Sequence, residues 1–225
     1  MTLLAEDLLL LLLDDETGKP LVDSTALPRA LAGAVLLELA LDGVVRPAGE
    51  GEEVKKGRLV LRDDTLPEDP ILAHAVDQIR ESKPLKPERA IEKIDHRLRE
   101  AVLQRIVDRG WVHEAKGRLL GIFPTKVWPA VDESHERAVR DELRAALVDG
   151  AAPSERTAAL VSLLSAVDAA PAVVPDGDRR AIKKRAKEIA DGEWAGVAVR
   201  RTVEAVNAAI MVAVIIPAAT AGGAS

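Results

Sequence analysis

Hydrophobic positions recur along the chain mostly at helical spacing, interrupted by two short stretches of strand-like alternation. Leu3, Leu4 and Leu8 to Leu13 form an apolar block in which Glu6 and Asp7 are the only charges. The block predicts a short buried helix capped by Thr2, with its acids at the positive end of the helix dipole. From Pro28 to Leu41, Leu31, Val35, Leu36 and Leu39 stand in an Ala-rich background and predict a second helix, stopped by Asp42-Gly43. Val44 to Arg46 and Arg58 to Arg62 then read as two short strands, joined by the Gly- and Glu-rich loop from Pro47 to Gly57.

Beyond the Pro67 and Pro70 turn, Ile71 to Glu81 is periodic again through Ile71, Leu72, Val76 and Ile79. A Pro-punctuated linker around Pro84 and Pro87 leads into one long amphipathic helix, from about Glu88 to Arg109, ended by Gly110. Trp111 to His113 and Arg118 to Phe123 predict a second hairpin, turning at Lys116-Gly117. The segments at about Ser134 to Leu147, Ser154 to Val167, Asp178 to Asp191 and Gly192 to Ile216 are helical by spacing and by their Pro and Gly breaks. Within the last, Val206 to Ile216 is apolar apart from Asn207. A membrane span needs about 20 apolar residues, so this run predicts a central helix buried all round. The expected architecture is mostly α: a single helical domain over residues 1–216 around a buried central C-terminal helix, with small β-hairpins and a disordered tail at 217–225.

Composition limits the chemistry. In 225 residues, 48% of them apolar, there are three Trp, one Phe and no Tyr, so the core must be aliphatic. Without Cys there is no disulfide framework, thiolate zinc site or cysteine nucleophile, which suits a reducing cytoplasm. Glu6 and Asp7 stand where a secretory leader carries Lys or Arg, so no leader is expected. The sequence lacks G-x-x-x-x-G-K-[ST], G-x-G-x-x-G, G-x-S-x-G and H-E-x-x-H. Glu92 with His96, and Asp132 with His135, have the spacing of metal pairs, but such pairs arise by chance in charged helices. No catalytic residue, metal or cofactor is expected, and the chain reads as a non-enzyme.

Charge changes the picture more. The formal net charge is −6, yet between Arg80 and Lys126 twelve basic residues face seven acids, so this stretch is +5 and the remainder −11. Trp111, Phe123 and Trp128, three of the four aromatics, lie at the end of it. The strip Leu119, Leu120, Ile122 and Phe123 sits beside Lys116, Arg118 and Lys126, and strand alternation leaves neither of its faces polar. Apolar insertion flanked by Trp and basic residues is a membrane-interface arrangement. Covering helices, or a homo-oligomer contact through the same hairpin, would equally account for the strip. On the preceding helix, His96 and Arg99 at i, i+3 could converge on one phosphate, with Arg97 facing elsewhere; a solvated face paired with Glu92, Asp95 and Glu100 is the alternative. The later cluster Arg179, Arg180, Lys183, Lys184, Arg185 and Lys187 reads by default as a solvated face. The order helix then hairpin, at Leu36 to Arg62 and again at Ile106 to Phe123, also fits a winged-helix nucleic-acid binder. The acidic balance and the apolar second wing argue against nucleic acid.

Several segments taken in order resemble one family. Leu3 to Leu11 (LLAEDLLLL), Asp15 to Gly18 (DETG), Leu31 to Gly43 (LAGAVLLELALDG), Arg97 to Glu100 (RLRE) and Ile106 to Val112 (IVDRGWV), followed by the hairpin, are similar to the Golgi phosphoprotein 3 family up to about Val214. The resemblance implies a mostly helical single domain around a buried central helix, without catalysis. Family members bind phosphatidylinositol-4-phosphate on Golgi membranes through a basic pocket, insert an apolar hairpin into the bilayer, and retain glycosyltransferases through their cytosolic tails. On this sequence the two pocket arginines of the long helix fall at His96 and Arg99. The pocket Trp falls near Val22 or Asp23, where Asp23 would repel phosphate, and the Arg before the family's Gly falls at Ala32. Arg29, one helical turn earlier, is the residue able to compensate. The resemblance thus implies a peripheral, membrane-associated adaptor. It would bind an anionic lipid head group through His96, Arg99 and Arg29, insert or oligomerise through Leu119, Leu120, Ile122 and Phe123, and meet the cytosolic tails of membrane proteins. An Ala-, Val- and Arg-rich composition without Cys suggests a bacterial member.

Overall fold

The computed structural model describes residues 2–62, 66–94, 97–119, 123–192 and 197–220. The elements in chain order are α1 (Leu4–Leu11), α2 (Ala26–Leu41), β1 (Val45–Pro47), β2 (Leu59–Leu61), α3 (Pro70–Arg80), α4 (Pro87–Ile94), α5 (Leu98–Asp108), β3 (Ala115–Leu119), β4 (Phe123–Val127), α6 (Ser134–Leu147), α7 (Glu155–Ala166), α8 (Ala170–Val173), α9 (Arg179–Ala190) and α10 (Val197–Thr220). The fold is mostly α with two small antiparallel hairpins, as the periodicity predicts.

The helix enclosed on all sides is α2, which packs against α1, α3, α4, α5, α7 and α10 and buries its side chains from Ala30 to Ala40 without interruption. A helix that is apolar all round has no stable place at a surface. The C-terminal helix α10 packs along α2 but is not buried all round: Val203, Val206 and Ile210 are enclosed, whereas Arg201, Glu204 and Met211 are exposed. Gly33 sets the α2–α10 separation, since a Cβ there would stand 2.9 Å from both Ile210 Cδ1 and Val206 Cγ1. Backbone helicity continues through Thr220, four residues past the predicted stop at Ile216.

Two other expectations change. The predicted single helix from Glu88 to Arg109 is two helices, α4 and α5, and Arg97 between them adopts a left-handed conformation (φ 62°). Helical spacing persists across the break, so periodicity alone could not reveal it. The second hairpin is displaced along the chain. Ala115–Leu119 pairs with Phe123–Val127 in the register Ala115 to Val127 and Leu119 to Phe123. Lys116 and Gly117 therefore lie within a strand, not at the turn, and Val112 forms an isolated bridge to Ala130 instead of starting the hairpin. Of the apolar strip, Leu119 ends β3 and Phe123 begins β4, while Leu120 and Ile122 lie outside the described residues.

Helix α1 is capped by carboxylates and not by Thr2. Glu6 Oε2 accepts from the Leu3 amide at 2.9 Å, and Glu38 of α2 accepts from the Leu4 amide. These acids are enclosed, so each needs cationic partners. Glu6 is held by Arg109 at 2.6 Å and Arg105 at 3.2 Å. Asp7 takes Arg156 and His135, both at 2.8 Å. Trp111 completes this corner: its ring stacks on His135 with centroids 4.3 Å apart, and Arg109 lies 5.0 Å from its centroid. Arg105 and Arg109 thus pair with the buried Glu6, and Trp111 packs on Arg109 and His135, which ties all three to the α1 corner.

Candidate functional site

A cleft of about 620 Å³ opens where α5 begins, between that helix, Pro28 at the start of α2, and the base of the β3–β4 hairpin. Its polar lining is Arg97, Arg99, Glu100, Gln104, Glu114 and Lys126, and its apolar wall includes Leu103, Val107 and Trp128. The volume is that of a small-ligand site.

Arg99 is the organising side chain. Its guanidinium carbon lies 5.6 Å from the centroid of the Trp128 ring, within cation–π range. Its Nε is buried and has no hydrogen-bond partner among the described residues. A buried donor left unpaired carries a desolvation cost of about 1–3 kcal/mol, which an acceptor entering the cleft would relieve. The ring beneath it holds the guanidinium in place before any ligand arrives.

Trp128 is fixed from far off in sequence. Its amide donates to the Gly18 carbonyl at 3.1 Å, and the Gly18 amide donates to the Asp14 carbonyl at 2.7 Å. Gly18 has φ +61°, and a Cβ there would fall 2.2–2.4 Å from the backbone of Trp128 and Pro129. The Asp14 carboxylate accepts from the Thr17 amide at 2.7 Å and from its hydroxyl at 2.6 Å, bonds that hold its pKa below the usual carboxylate range. The Asp15 to Gly18 segment, noted above only as part of a resemblance, is the seat of the cleft's aromatic wall.

Arg97 enters the same cleft as Arg99, contrary to the expectation that it faces elsewhere. That expectation placed Arg97 inside a continuous helix, whereas its left-handed conformation turns the chain just before α5. A non-glycine residue held there costs on the order of 1–3 kcal/mol, and such strain collects at functional sites. The Arg97 side chain does not cap the first turn of α5, whose amide groups add positive potential beside Arg97 and Arg99. Two acids moderate the charge: Glu100 lines the cleft, and Glu114 pairs with Lys126 at 3.0 Å.

The sequence-predicted residues fare differently. Arg99 is at the centre. Arg29 is half-buried on α2 next to Pro28 and is not among the described residues that line the cleft. His96 lies outside the described residues, as do Leu120 and Ile122; only the backbones of Leu119 and Phe123 are described, as the pair nearest the hairpin's end. Ala32 is fully buried in the core, so that position faces no solvent-filled pocket in this chain. Asp23 accepts from the Thr25 amide and hydroxyl and from the Ala26 amide, at 2.8, 2.6 and 2.9 Å. These bonds lower its pKa and tie its charge to the start of α2. Trp128, Lys126 and Arg97 were not anticipated. Nothing local in sequence joins Trp128 to Arg99, because 28 residues, a hairpin among them, lie between.

No helix among the described residues is long and apolar enough to cross a membrane, and none of them form a cluster able to hold a metal ion. The family profile described as Golgi phosphoprotein 3 (GPP34) matches residues 4–206, which span α1 to the middle of α10 and include every cleft residue. No curated protein matches the chain.

Proposed function

The chain belongs to the Golgi phosphoprotein 3 family, and from that premise we propose that it is a non-enzymatic peripheral membrane adaptor whose α5 cleft receives an anionic, phosphate-bearing lipid head group. The observation that carries this reading is the Arg99 guanidinium, poised on Trp128 with its buried Nε unpaired among the described residues. Arg97, Lys126 and the first amide groups of α5 surround it with further donors suited to phosphate oxygens. The hairpin end at Leu119, Leu120, Ile122 and Phe123 is assigned to the membrane interior, with His96 and Arg29 as accessory cations. The adaptor's protein ligands, by the same reading, are cytosolic tails of membrane proteins.

Sedimentation with vesicles tests this directly. Binding should require an anionic phospholipid and fall as salt rises. Arg99→Ala should weaken it at least tenfold, and the double substitution Leu120→Asp with Phe123→Asp should abolish it. Equal binding to neutral phosphatidylcholine vesicles would overturn the head-group reading. Retained binding in the hairpin variant would instead assign the strip to contact between copies, which light scattering at micromolar protein would show as an oligomer.

A nucleic-acid role finds less support. A recognition helix needs a free face, and α2, the helix before the first hairpin, is enclosed along nearly its whole length.

A further inference from the structure

On the other side of α5 from the basic cleft lies a second depression, of about 440 Å³, between α3 and the α4–α5 junction. Its floor is Ala75, Ile94 and Leu98, all buried, and its rim includes Ile71 and the exposed Ala101. The two depressions adjoin, since Arg97 and Gln104 line both. An apolar trough therefore joins a cationic cleft, and the strained Arg97 stands at the junction.

We propose that this groove takes the hydrocarbon chain of a single-tailed anionic phospholipid whose phosphate occupies the neighbouring cleft. The proposal rests on the head-group reading above and extends it from a surface contact to capture of one lipid molecule. Three features favour an amphiphile over a purely apolar partner. The walls offer a hydrocarbon chain apolar contact with almost no polar competition. The one exposed cation shared with the cleft, Arg97, sits where the head group would leave the chain. The Arg99 Nε, unpaired among the described residues, lies two residues beyond, on the cleft side. A purely apolar partner would leave that charge without a counterpart.

Calorimetric titration with lysophosphatidic acids bearing octanoyl, decanoyl and dodecanoyl chains, each below its critical micelle concentration, tests the groove. Affinity should rise about fourfold for each added methylene, the value for full burial in an apolar site. Ala101→Gln, at an exposed helical position that the fold does not depend on, should flatten that series while leaving sedimentation with phosphatidic acid vesicles unchanged. Absence of a chain-length gain, or an equal gain in Ala101→Gln, would overturn the groove assignment and leave the head-group reading standing. The same gain with uncharged alkyl maltosides would overturn the pairing of chain with phosphate. A chain-length gain removed by Ala101→Gln but indifferent to Arg99→Ala would keep the groove and overturn the cleft as the phosphate site.

Discussion

A guanidinium nitrogen of Arg156, on α7, lies 2.8 Å from the carboxylate of Glu38 on α2, joining residues 118 positions apart. The same side chain donates to Asp7 at 2.8 Å and to the Thr2 carbonyl at 2.7 Å, so one arginine answers two enclosed acids and a backbone carbonyl just before α1. Burial raises the Glu38 pKa, opposed by the Leu4 amide and by Arg156. Replacing Arg156 by Met should leave two buried carboxylates short of a cation and destabilise the fold by about 3–5 kcal/mol. The loss should shrink on acidification, because Glu38, its pKa raised by burial, no longer needs the cation once protonated. Urea denaturation near pH 5 and pH 8 checks both; an equal penalty at the two values would exclude an electrostatic origin.

Glu136 on α6 provides a second pH dependence. It is 5% exposed, and burial pushes its pKa up to about 7, with Arg140 pulling down and Asp15 adding to the rise. Arg140 bonds it at 2.6 Å and is itself shared with the Val173 carbonyl and Asp15. An acid with a raised folded pKa binds more protons folded than unfolded, so its contribution is full below about 4.5 and lost as pH climbs through about 7. The difference is on the order of 3 kcal/mol at most. Glu136→Gln should remove this part of the decline in stability between pH 5 and pH 8, measured by guanidinium titration at each pH.

Gly18 and Gly110 should respond differently to alanine. Both have positive φ, +61° and +74°, but a Cβ on Gly110 meets nothing within 4 Å, whereas one on Gly18 strikes the Trp128–Pro129 peptide. Gly110→Ala should cost only the left-handed penalty, about 1–2 kcal/mol. Gly18→Ala should add the cost of displacing packed backbone, about 1–3 kcal/mol more. Differential scanning calorimetry orders the two; equal losses would mean that the loop from Asp14 yields freely.

The core was legible because aliphatic spacing is a local property: Leu31, Val35, Leu36 and Leu39 announce α2 unaided. What escaped depended on partners far along the chain. The basic stretch from Arg80 to Lys126 looked like one surface, yet Arg105 and Arg109 pair with the buried Glu6. The break at Arg97 left the hydrophobic period intact and so gave no sign in the pattern. Arg99 could be named as a cleft residue, since a guanidinium in a basic helical stretch suits phosphate. The cleft's aromatic wall could not, because Trp128 reaches Arg99 only after the Asp14 to Gly18 loop and the β3–β4 hairpin have folded around it.

Trp128 yields the sharpest test of the cleft. If the ring serves only as apolar wall, Trp128→Leu and Trp128→Phe should affect phosphate-ligand binding alike. If it holds the Arg99 guanidinium by its π face, Phe should retain part of the effect and Leu none, since Phe is the weaker cation–π partner. A half-exposed pair of this kind contributes about 0.5–1 kcal/mol, so Trp128→Leu should weaken affinity about two- to fivefold, with Trp128→Phe between it and the wild type. In an Arg99→Ala background the difference between Leu and Phe should vanish, because the cation is gone. Titration calorimetry with a soluble lysophosphatidic acid across this cycle isolates the pair; a Leu–Phe difference that survives Arg99→Ala would assign the ring to the ligand itself.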